Sequence, residues 1–195
     1  MKIHDVNALS QIIEIGLDGQ WEPFDDWVSE NSDFTFDNDY NHSLINEFDN
    51  EVFVLMINMI KDDRFKLNPS YSAIYIFIYD WSTLSSSQRG YLIQTVDEVW
   101  IHIRDMDLLF SMSEMLGKYF KNNEAIRTLH SMRNSDEVNH VLASTLGLYY
   151  MAKSSPDRDL CRESVKCLAE LSNHKDPDVR DEAQGFLFKI EDLAI

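Results

Sequence analysis

At 195 residues the chain is long enough for one domain with a sizeable core, or for one compact repeat array. Its 44% hydrophobic and 12% aromatic content excludes a disordered chain, and six glycines with four prolines are too few for a β-sandwich rich in tight turns. The 34 acidic and 17 basic residues leave a net charge of −17, which argues against direct contact with nucleic acid or an anionic membrane and favours a cationic partner.

The acid is concentrated at one end. Between Ile3 and Ile60 there are thirteen acidic residues and no lysine or arginine; with Lys2 included, residues 1–60 carry −12 and the remaining 135 carry −5. Met1-Lys2-Ile3-His4-Asp5 has no charged-then-apolar signal pattern, and no apolar run approaches the ~18 residues of a membrane span. Ala8 to Leu17 reads as a short helix ended by Gly16 and Gly19. Residues 24–30 read as a second short helix and 31–42 as an irregular acidic loop. Ser43 is placed to cap a helix running to Lys61, with Val52, Leu55, Met56 and Met59 at helical spacing. Tyr71–Trp81 suits a strand by its β-branched and aromatic content and a buried helix equally well; the helices on both sides favour the helix.

From Ser87 the apolar spacing predicts helices over 87–104, 106–120, 124–133, 136–153, 158–172 and from Pro177 to about Leu193, with Ser135 capping the fourth of these. Cys161 and Cys167 fall on opposite sides of their helix and cannot pair there, so both are read as reduced, which suits a cytosolic setting.

The turn before the last helix is the most specific motif. In Asp176-Pro177-Asp178-Val179-Arg180-Asp181-Glu182-Ala183, Asp176 is placed to accept from the first free backbone N–H groups, and Pro177 at the first helical position sacrifices no useful donor. Val179, Ala183 and Leu187 fall on one face. This run resembles the start of the second helix of a HEAT repeat. A degenerate copy lies about 41 residues earlier, with Val138, Leu142 and Leu146 in the corresponding places, Asn139 where Arg180 stands, and no proline before Val138. The resemblance covers roughly residues 87–192. It implies an all-α fold: a right-handed α-α superhelix of HEAT-like hairpins in which Arg180 and Asp176 tie adjacent turns together. On this reading 1–195 is a single domain, with an acidic, aromatic-rich helical part at 1–84 and HEAT-like pairs at 85–195.

Motifs for chemistry are missing from the sequence. It has no glycine-rich phosphate loop, no Gly-x-Ser-x-Gly elbow, and six scattered histidines without zinc-ligand spacing. His130 and His140 are read as surface or capping residues. Asp37-Asn38-Asp39 opens like a calcium loop but lacks the glycine at the sixth position and the glutamate at the twelfth. No catalytic residue, cofactor or metal is therefore expected.

Residues 21–40 are the candidate partner-binding segment. They combine Glu22, Asp25, Asp26, Glu30, Asp33, Asp37 and Asp39 with six aromatics and no positive charge. The aromatics either anchor a solvated acidic surface to the core, or, as Trp27 and Tyr40, supply contact area to a partner whose lysines and arginines pair with the carboxylates. Size, charge and scaffold resemble the immunity proteins of bacterial contact-dependent and polymorphic toxin systems, which implies an inhibitor that binds a basic, nuclease-type toxin. The alternatives are a HEAT-type adaptor for another host protein, and a HEAT-like enzyme acting on nucleic acid or on a cofactor-bearing protein.

Overall fold

The computed structural model describes residues 6–31, 50–70, 72–79 and 81–191, with the side chains of residues 30, 31, 79 and 191 outside that description. The described residues are helical, without strands. The chain divides into two compact units, Met1–Ile103 and Arg104–Ile195. The first holds 18 acidic and five basic residues, a net charge of −13; the second holds 16 and 12, a net charge of −4.

In the first unit, α1 (Val6–Leu17) packs on α2 (Glu22–Asn31) and on α3 (Asn50–Lys61). Gly19, at φ +101°, turns the chain out of α1, and its N–H returns to the Gly16 carbonyl. A short helix, α4 (Asp63–Leu67), follows α3 directly and is capped by Asp62. The ambiguous segment is helical: α5 (Ser72–Tyr79) buries Ser72, Ala73, Ile74, Ile76, Phe77 and Ile78, so it is enclosed on most sides. The α6 helix (Ser86–Val99) starts at a capping box in which Ser85 and Gln88 satisfy each other's backbone N–H. By sequence α6 opens the paired-helix part, yet it packs on α3 and lies in the first unit. The Ser43 cap lies outside the described residues.

The second unit is built around one helix. Helix α9 (Val138–Ser154) contacts α7 (Met106–Met115), α8 (Asn123–Arg133), α10 (Arg158–Leu171) and α11 (Pro177–Glu191). Asp105, Asn122 and Asp157 cap α7, α8 and α10, and Asp176 accepts from the N–H groups of Asp178 and Val179 as its position predicts. Residues Leu116–Phe120 extend α7 by a π-helical turn, which ends at Lys121 in the left-handed region, φ 47°.

Three sequence expectations change here. Helix α9 begins at Val138 rather than Asp136, and its cap position is Glu137; the Ser135 hydroxyl accepts from the Glu137 N–H instead. Its buried face is also different. Val138 is 37% exposed and Leu142 and Leu146 are half-buried, whereas Val141, Thr145 and Leu148 are buried. A helix surrounded by four others has no single apolar stripe, so spacing alone does not identify its inward face. Finally, Arg180 pairs with its neighbour Asp181 and reaches no earlier turn. The residue matching Asp176 in the preceding hairpin is Ser135, which offers no carboxylate to receive it.

Candidate partner-binding surface

The described part of the acidic segment, residues 21–31, is fastened to the first unit by aromatic side chains. Phe24 is fully buried on α2, with the Trp21 ring 5.5 Å away edge-on and Trp27 stacked at 6.2 Å. Trp21 also meets Phe65 of α4 at 5.8 Å, and its indole N–H donates to the Asn68 carbonyl at 2.8 Å. Gly16 makes room for this ring, since a Cβ there would run into it. Burying a side chain such as Phe24 or Phe65 contributes about 1.5–3 kcal/mol. Trp21 and Trp27 are half-buried, each with one part of its ring against Phe24.

With Phe24 and Val28 turned inward, Glu22 and Asp26 sit one turn apart on the exposed face of α2. Neither makes an ion pair among the described residues. Asp25 points differently: it accepts from the buried Ser70 hydroxyl at 3.0 Å and so helps hold α2 in place. Glu30 lies in the last turn of α2, and Asp33, Asp37, Asp39 and Tyr40 lie outside the described residues, as does the Asp37-Asn38-Asp39 calcium-like opening.

Sequence reading missed the charge clamp beside them. Arg64 on α4 pairs with Glu14 of α1 at 3.1 Å, with Asp18 just past the end of α1 at 3.2 Å, and with Asp62 at 3.0 Å. The Arg64 guanidinium holds the Asp62 carboxyl below the usual carboxylate range. The i, i+4 spacing of Glu14 and Asp18 signals a shared face, but their meeting with Arg64 is a long-range contact. The other described cations of this unit are also engaged. Lys61 pairs with Glu98 at 2.6 Å, Lys66 with Asp63 at 2.7 Å, and Arg89 donates to the Trp81 carbonyl at 2.8 Å. These are exposed or half-exposed pairs that stabilise little individually. Their effect on the field matters more: the described lysines and arginines are already committed within a unit of net charge −13.

Titratable groups in the second unit form two smaller clusters. His140 is 1% exposed, which corrects its reading as a surface or capping residue. Its Nε2 faces Arg104 Nη1 at 3.3 Å and its Nδ1 faces the Ser135 hydroxyl at 2.9 Å. His130 Nε2 lies 3.5 Å from the Cys167 sulfur and 3.3 Å from a Glu163 oxygen. Nucleophilic activation places thiol and carboxylate on opposite ring nitrogens; here both meet the same one, and burial pushes the Cys167 thiol up. Both cysteines are free. Among the described residues no group of His, Cys, Asp and Glu is arranged to hold a metal ion, and no helix is long and apolar enough to cross a membrane.

No family model matches the chain, and no curated protein or solved structure matches it.

Proposed function

We propose that this chain is a HEAT-like helical-repeat protein, a right-handed superhelix of paired helices, which neutralises a basic, nuclease-type bacterial toxin by binding and occluding it. The observation that carries this reading is the charge arrangement of the first unit. Its described cations are engaged, Glu22 and Asp26 face solvent, and the net charge is −13. Such a surface attracts a cationic protein from a distance and repels nucleic acid, which is the selectivity an inhibitor of a nuclease requires. The repeat reading is supported by the neighbours of α9, which packs on α8 and, beyond that pair, on α7, α10 and α11.

The test is genetic. Expression of the reading frame immediately upstream is expected to arrest growth, and co-expression of this chain to restore it. An upstream product that is harmless, or a toxicity this chain does not relieve, would contradict the proposal.

A further inference from the structure

A groove of about 430 Å³ runs between α3 and α6, wholly within the first unit. Its walls include Asn50, Phe53 and Val54 from α3 and Ser87, Gly90 and Tyr91 from α6. No lysine, arginine, aspartate or glutamate lines it. Val54 is 45% exposed and Tyr91 47% exposed, so two large apolar groups stand open side by side. The Tyr91 ring is held in place: its centroid lies 6.5 Å from that of Phe53, and Lys61 Nζ sits 5.1 Å above it while paired to Glu98. A fixed, half-exposed tyrosine is the kind of anchor that dominates interfaces.

Gly90 adds an independent observation. It occupies the interior of α6, where glycine costs about 0.5–1 kcal/mol relative to alanine. Among the described residues nothing demands it, because a Cβ at this position meets none of their atoms within 4 Å. The missing side chain widens the groove instead. Acidic residues neighbour the lining in sequence: Glu51 follows Asn50, and Asp97 and Glu98 lie three and four residues beyond Gln94 on its helix face, Glu98 being paired to Lys61.

We infer that the α3–α6 groove receives an amphipathic helix of the partner, with its apolar face against Val54, Gly90 and Tyr91 and lysines or arginines along its flanks. Charge complementarity selects that occupant over an acidic or neutral helix, since the unit that holds the groove carries a net charge of −13. The inference rests on the cationic-partner reading and names the surface that serves it.

The probe is a labelled synthetic helical peptide of about 12 residues, a length that matches the ~18 Å of α3, with a leucine–alanine face and lysine flanks. A second peptide carries glutamate flanks. Fluorescence anisotropy is expected to show binding of the lysine peptide, weakened at least about tenfold by Gly90→Leu and by Ser87→Leu, which fill the groove. Urea unfolding should show both variants folded and the Gly90→Leu variant no less stable than the parent, because leucine is the better helix former. Lysine-peptide binding that ignores both groove-filling variants would overturn the groove assignment while leaving the cationic-partner reading intact. Equal binding of the glutamate peptide, still lost in Gly90→Leu, would overturn the cationic occupant while leaving the groove. Self-association abolished by Gly90→Leu, without peptide binding, would give the groove to a second copy and overturn the inference.

Discussion

Gly117→Ala is expected to destabilise the second unit by about 1–3 kcal/mol, toward the upper end of that range, because it overpacks a helix crossing with no room to adjust. Gly117, in the π-helical turn, faces Gly147 of α9. An added Cβ would collide with the Gly147 carbonyl oxygen and lie 2.8 Å from its carbon and 3.0 Å from its Cα. All three obstacles are backbone, which cannot rotate away as a side chain can. Neither glycine has a positive φ, so the requirement is steric and not conformational. Gly185→Ala is the control. It also replaces a helical glycine, but its Cβ meets nothing within 4 Å, so it should stabilise by about 0.5–1 kcal/mol. Thermal melts followed by circular dichroism should move in opposite directions, at roughly 2–4 °C per kcal/mol. An unchanged melt for Gly117→Ala would mean that the two helices do not cross at these glycines.

The larger expected loss is at Phe24. Phe24→Ala removes a fully buried ring between Trp21 and Trp27, and phenylalanine truncations of this kind cost about 3–5 kcal/mol. The four tryptophans, Trp21, Trp27, Trp81 and Trp100, are all in the first unit, so their fluorescence follows that unit during urea unfolding. The midpoint should fall sharply, and Phe24→Leu should restore much of it by keeping most of the apolar volume. A loss under about 1 kcal/mol would show that α2 is not seated through this ring, and that its acidic face is not held in one orientation. Fold and presentation of charge are coupled at this residue.

Local features of the fold were legible in the sequence, and long-range ones were not. The Asp176-Pro177 start of α11 could be read because a cap and a proline act over three or four residues. Tyr71–Trp81 could be read only as buried, since a short apolar run enclosed on most sides has no telling period; its neighbours decided for helix. The inward face of α9 was misread because four helices surround it. Helix α4 was missed because one short turn carries little periodicity, and with it Arg64, whose position beside Glu14 and Asp18 depends on how α1 and α4 meet. Of the candidate site, the short helix was legible at 24–30, but its start at Glu22, which puts Glu22 and Asp26 on one face, was not. Nor was the turning of Asp25 toward Ser70, 45 residues away. Gly117 and Gly147 are uninformative singly and become meaningful only as a pair.

The central claim is that carboxylates of the first unit draw in a cationic protein, and association kinetics test it most directly. The variant Glu22→Gln, Asp26→Asn, Glu30→Gln, Asp33→Asn, Asp37→Asn, Asp39→Asn leaves Asp25 intact, so α2 keeps its Ser70 contact. In stopped-flow mixing with the upstream gene product, electrostatic steering is worth about 10- to 1000-fold in rate at low salt. The account predicts that the parent chain associates fast at low salt and slows steeply as salt rises, while the variant is slow throughout and nearly salt-independent. Identical rates and identical salt slopes for the two proteins would contradict it.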